Sequence, residues 1–239
     1  MKTAASLITN FSIPQSVASP RSTVATQVYR TIRDGIISLR LTPGMSMSEQ
    51  EMAAALGVSR TPVREAFIRL SREGLVEIYP QRATVVSKIS LKRVRQERFL
   101  RESLESSVLL SFIENPTQSG LDLMREQIER QRECLHSGDY GTFLECDDRF
   151  HFVLYEETDN LLCSQVIRRN CHDYQRLRAL SDSVNREVQQ LNIKQHMEML
   201  DGIRRHDAAQ AQQTLRTHVR RLLNETAELR AQKPEFITD

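Results

Sequence analysis

A chain of 239 residues is long enough for two domains of ordinary size, each with its own core, and 39% hydrophobic content with 5% aromatics and no Trp favours helix over a β-sandwich or barrel. No run approaches the roughly 20 apolar residues of a membrane span, and residues 1–20 lack a basic segment leading into an apolar one, so a cytoplasmic protein without a membrane partner is expected. The net charge of +2 is uneven: residues 1–90 carry 11 Lys and Arg against 6 Asp and Glu, the remainder 22 against 25, which suits a nucleic-acid reader joined to something else.

Residues 1–23 are aperiodic and contain Ser, Thr and Pro, so they read as a flexible N-terminal tail. Val28, Ile32, Ile36 and Ile37 recur at helical spacing up to Pro43-Gly44. Ser48 to Glu51 has the S-x-x-E spacing of a capping box, and Gly57 suits the left-handed end of that short helix. A second helix follows a tight turn, with Ser59 as its cap, Pro62 in its first turn and Gly74 after its last. Residues 75–79 and 83–86 are β-prone runs around Pro80-Gln81-Arg82, the layout of a hairpin. After Ser90, amphipathic stretches broken near Asn115-Pro116, Gly138, Asp159-Asn160, residues 181–183 and His206-Asp207 predict about six helices.

In GVSRTPVREAFIRL, residues 57–70, the apolar positions Val63, Ala66, Phe67 and Leu70 face a core, which turns Arg60, Thr61 and Arg64 outward. A helix start presenting two guanidinium groups and free N–H groups suits the major groove, where Arg reads guanine bidentately. Arg82 on the hairpin is placed to reach phosphate or the minor groove. Singly, such arginines are usually solvated charges; the ordered succession of capped helix, turn, helix and hairpin over about 40 residues alters that weighting.

The run MSEQEMAAALGVSRTPVREAFIRLSREGLVEIYPQRATVV resembles the DNA-binding domain of the GntR superfamily of bacterial regulators, over residues 24–90. The resemblance implies a winged helix-turn-helix in which Arg60, Thr61 and Arg64 contact the operator, Ser59 binds a phosphate and Gln81-Arg82 enter the minor groove. Family members usually place Gly after the wing arginine, whereas Ala83 stands here, which predicts a different turn.

In the second half, Asp147 and His151 lie at i and i+4 on one helix face. His196 and His218 flank the break at His206-Asp207 almost symmetrically, so an antiparallel hairpin would bring both imidazoles to one height. Three imidazoles and a carboxylate suit Zn²⁺, Ni²⁺, Mn²⁺ or Co²⁺, Zn²⁺ foremost, with positions open for water or an anion. His136, His172 and His206 fit no such pattern, and the four cysteines show no paired spacing. This half resembles the FadR-type, or FCD, branch of the same superfamily, whose helical bundle holds a metal through an Asp-x-x-x-His pair and two later histidines; the Arg-x-x-Leu-Glu signature is present as Arg101 to Glu105.

The fold expected is mainly α: a winged helix-turn-helix at 24–90, an all-α FCD-type bundle for metal and effector binding and dimerisation at 91–231, and a C-terminal tail at 232–239. Arg101, Arg176 and Arg178 are candidates to clamp a small carboxylate or sugar-acid-like effector beside the metal. The expected protein is a homodimeric repressor reading a pseudo-palindromic operator, since one such domain spans few base pairs. Two other readings stand against it. A metal of this kind also serves hydrolysis, but no separate general base stands at a recognisable spacing. The bundle can also be a dimerisation unit with a purely structural metal.

Overall fold

The computed structural model describes residues 23–239, with Val184 described by its backbone alone. The expected N-terminal tail, residues 1–23, lies outside the described residues except for Thr23, which caps the first helix by accepting from the Thr26 N–H. Two compact units emerge: one runs to Ser90 and includes Lys233–Asp239, the other is Leu91–Gln232.

In the first unit, α1 (Val24–Ile37), α2 (Glu49–Leu56) and α3 (Arg60–Arg72) pack on a small sheet. Strand β1 (Ser46–Met47) and the hairpin β2 (Val76–Tyr79) and β3 (Ala83–Val86) make that sheet, in the order β1-β3-β2, all antiparallel. Ser48 and Glu51 close both bonds of the capping box, and Gly57 ends α2 at φ 65°, a left-handed conformation that costs glycine nothing. Val28, Ile32 and Ile36 of α1 meet Val63, Phe67 and Leu70 of α3 over Val76 and Val86, all nearly free of solvent. Burying that apolar surface fixes the rotation of α3 and therefore which of its residues face outward.

Two expectations are corrected here. Ser59 occupies the N-cap of α3, but its side chain makes no capping hydrogen bond. Residues 232–239, expected as a tail, instead end α11 at Gln232 and return to the first unit. There β5 (Ile237–Thr238) pairs in parallel with β4 (Ile89–Ser90), and the Ile89 N–H donates to the Phe236 carbonyl at 2.9 Å. The cause is apolar: Ile237 is 4% exposed and Ile89 fully buried.

The second unit is all helix: α4 (Leu91–Glu114), α5 (Gln118–Ser137), α6 (Tyr140–Glu157), α7 (Leu161–Asn170), α8 (His172–Val184), α9 (Arg186–Arg204), α10 (Ala208–Asn224) and α11 (Thr226–Gln232). That is eight described helices where about six are predicted, because the chain also breaks at Cys171 and Glu225. Short connections make α5 and α6, and α9 and α10, antiparallel neighbours. Gly202 of α9 lets the second pair approach closely, since a Cβ there would lie 3.0 Å from the Ala211 Cβ. No described helix is long and apolar enough to cross a membrane.

Candidate nucleic-acid interface and candidate metal centre

On α3 the buried stripe Val63, Ala66, Phe67 and Leu70 leaves Arg60, Thr61 and Arg64 exposed, with Ser59 exposed at the helix start. The guanidinium groups are not free-floating. Glu49, at the start of α2, accepts from Arg64 Nε at 2.9 Å, from Arg64 Nη2 at 3.0 Å and from Arg60 Nη2 at 3.0 Å. Those bonds, that from Arg64 foremost, hold the Glu49 carboxyl below the usual carboxylate range. The start of α2, α3 and the hairpin enclose a groove of about 450 Å³ that Glu49, Arg60, Arg64, Tyr79, Gln81 and Arg82 help to line.

The hairpin tip is a three-residue loop, with Tyr79 directly opposite Ala83 and the Arg82 N–H donating to the Tyr79 carbonyl at 3.1 Å. Gln81 carries the left-handed conformation, at φ 58°. Ala83 sits in the extended β3, so this turn asks no glycine of position 83. Gln81 and Arg82 are both exposed at the tip.

The second unit gathers Asp147 and His151 of α6, His196 of α9 and His218 of α10, all buried, with one ligand-type atom of each lying within 4.8 Å of the others. Asp147 Oδ1 lies 3.5 Å from His196 Nε2, and Asp147 Oδ2 lies 4.0 Å from His151 Nε2. Two of the imidazoles are held from outside by their other nitrogen, while His151 Nδ1 is buried without a hydrogen-bond partner. His196 Nδ1 donates to Gln131 Oε1 at 2.8 Å, His218 Nδ1 donates to Gln195 Oε1 at 3.0 Å, and His151 Nδ1 faces Glu105 Oε2 at 3.4 Å. Glu105 is in turn bonded by Arg101 Nε at 2.8 Å and by the Tyr155 hydroxyl at 3.0 Å.

The result is a carboxylate and three rings with a ligand-type atom of each gathered within 4.8 Å, two of the rings bonded through their other nitrogen as metal-binding histidines are. Asp147 Oδ1, His151 Nε2 and His196 Nε2 are buried without a hydrogen-bond partner. Such atoms are costly unless something binds them, and three neutral imidazoles with a carboxylate fit a divalent transition metal. Burial keeps the imidazoles neutral: it holds His151 and His218 well below the ordinary histidine range and His196 at about 4. Burial alone would raise the Asp147 carboxyl, but the positive charge beside it, that of Arg178 foremost, outweighs burial and holds it far below the carboxylate range.

The candidate arginines part company. Arg178 Nη1 donates to Asp147 Oδ2 at 2.9 Å, and its Nη2 pairs with the exposed Asp148. Arg101 reaches the site through Glu105. Arg176, fully buried, pairs with Asp173 on its own helix. A further polar layer escapes sequence reasoning: Asp182 lies one turn beyond Arg178, Asn192 one turn before His196 and Arg221 one turn beyond His218. Asn192 Nδ2 donates to Asp182 Oδ1 at 3.2 Å, while Asp182 Oδ2, Gln189 Oε1, Asn192 Oδ1, Arg221 Nε and Arg178 Nε are buried without hydrogen-bond partners. The glutamines and this layer carry no sequence signal, because each is an ordinary polar residue on an amphipathic helix until packing buries it.

Residues 24–86 match the family model described as bacterial regulatory proteins, gntR family, and residues 98–221 match the FCD domain model. The HTH-type transcriptional repressor RspR of Escherichia coli K12 is 28% identical over 222 residues, covering 92% of this chain and 96% of the repressor. An HTH-type regulator from an unstable DNA locus of Streptomyces ambofaciens is 33% identical over 216 residues, covering 89% of each chain. Among solved structures, E. coli McbR/YncC superposes with a TM-score of 0.73 at 22% identity, covering 88% of this chain and 99% of its own, a likeness of fold.

Proposed function

This chain belongs to the GntR family of bacterial regulators and carries an FCD domain, a family of DNA-binding transcriptional regulators rather than enzymes, and from that premise we propose a metal-dependent, effector-controlled repressor. Its reading head uses Arg60, Thr61 and Arg64 on base edges, Ser59 on a phosphate, and Gln81 with Arg82 in the minor groove. The uncapped hydroxyl of Ser59 and the outward side of α3 support that assignment. Repression follows its relative RspR, which is named a repressor. A cytoplasmic homodimer duplicates the half-site on a pseudo-palindromic operator.

Asp147, His151, His196 and His218 hold the metal, with Zn²⁺ the best match to three nitrogens and one oxygen. One observation carries this reading: three buried rings, two of them fixed by outer hydrogen bonds, bring a ligand-type atom each to within 4.8 Å of one another and of a buried carboxylate. When bound, the ion supplies a positive centre for an anion. Arg178 and Arg101 supply charge beside it, and the unpartnered atoms around Asp182, Asn192 and Arg221 offer bonds to the rest of a small carboxylate or sugar-acid-like effector. Effector binding then biases the placement of the paired reading heads, which alters operator affinity.

The test is a calorimetric titration of chelator-stripped protein with Zn²⁺, followed by sugar acids, together with gel shifts. We expect one ion per chain, its loss in His196→Ala, and an effector heat that needs the ion and changes DNA affinity. Zinc uptake undiminished in His196→Ala would remove the quartet as the site. Uptake with no effect of any carboxylate on DNA binding would leave a structural ion in a dimerisation bundle.

A further inference from the structure

Glu49 takes no part in the capping box that opens α2: Ser48 and Glu51 supply both of those bonds. Its carboxylate instead spans to α3 and is shared by the two arginines of the reading surface. The arginine side chains are 63% and 61% exposed and that of Glu49 24%, and ion pairs this exposed contribute little to folding. The arrangement nevertheless has a definite geometry. Arg64 gives its Nε and Nη2 edge to Glu49, which leaves the Nη1 end of the guanidinium plane for another acceptor, and bidentate reading of guanine needs such a plane held in a fixed attitude.

A carboxylate in the wall of a groove built for a polyanion also opposes loose, phosphate-only binding. Holding the arginines in advance removes part of the ordering cost of base contact, while the negative charge weakens contact with any duplex. Both effects act in the same direction on the ratio of specific to non-specific affinity. We propose that Glu49 is a specificity-determining positioning residue, which holds Arg64 and Arg60 for base reading and disfavours non-specific DNA. The proposal rests on the assignment of these arginines to base edges.

The test uses the full chain. Its preferred duplex is selected from a random-core library, then titrated beside a scrambled duplex of equal length with wild type, Glu49→Ala, Glu49→Gln and Arg64→Ala, at two salt concentrations. We expect Glu49→Ala to lower the preferred-to-scrambled ratio about tenfold, one good bidentate contact, while affinity for the scrambled duplex does not fall. Glu49→Gln, which retains an acceptor without the charge, should lie between. Thermal melting of both variants should stay within about 2 °C of wild type, as for exposed pairs.

An unchanged ratio in Glu49→Ala overturns the proposal, as does an equal gain on both duplexes, which would make the carboxylate a repelling charge alone. A large loss of stability in both Glu49 variants would assign the residue to folding and also overturn it. The Arg64→Ala arm separates the two levels. If that variant keeps the ratio, the base-reading assignment itself fails; if it loses the ratio while Glu49→Ala keeps it, only the role of Glu49 fails.

Discussion

Gln131 and Gln195 hydrogen-bond His196 and His218 of the candidate quartet, and those bonds decide which ring nitrogen is left to face the cluster. Gln131→Leu keeps all four ligands and should weaken Zn²⁺ binding about 10–100-fold, read by competition with a chelating dye. Wild-type affinity in that variant would make the glutamine a bystander. Asp182 answers to pH instead. Burial, with the nearby Asp147 charge, raises its carboxyl from the ordinary 3.8 to about 7. The folded state thus holds this proton more tightly than the unfolded one, so its contribution is full below about pH 4 and is lost as pH rises through 7. Asp182→Asn, neutral throughout, should melt increasingly above wild type between pH 5 and pH 8 in the presence of chelator, by up to a few kcal/mol; a gap constant with pH would contradict this. The four clustered residues stand out in the sequence because histidine is scarce, 6 in 239 residues, and their spacings are helical. Glutamine and asparagine on the same helices are common, and only the packing of the bundle, which sequence spacing does not fix, separates the buried ones from the solvated ones.

At the level of elements, the hairpin of α9 and α10 is what brings His196 and His218 together, and its tight point is Gly202 against Ala211. Gly202→Val should push the helices apart, destabilising the unit by about 1–3 kcal/mol and weakening metal binding in the same variant. Calorimetric melting with a zinc titration checks both; loss of stability with intact zinc affinity would uncouple the hairpin from the site. This hairpin could be anticipated because His206-Asp207 interrupts the periodicity, as Gly57, Gly74 and Gly138 do elsewhere. By contrast, the break between α7 and α8 falls at Cys171-His172, which offers neither Gly nor Pro. The two-residue strands β1, β4 and β5 are too short to show any alternation. Their existence depends on partners 37 to 39 positions away for β1 and 148 positions away for β4 and β5, so no local pattern announces them.

For the molecule as a whole, the parallel pairing of β4 with β5 makes the first unit discontinuous. Ile237→Ala should lower the stability of that unit by about 2 kcal/mol, detected as faster hydrogen exchange at the Ile89 amide and an earlier loss of the α1–α3 core signal. Exchange as slow as in wild type would mean that the strand adds nothing. Viewed as topology, the helical unit is an insertion of some 140 residues into the chain of the first unit, between its strands β4 and β5. Synthesis reaches β5 only after every described helix has been made, so the first unit gains this strand late although most of it is made early. A fragment cut after Ser90 would therefore be a different object from the reading head of the intact chain, with Ile89 uncovered along one side.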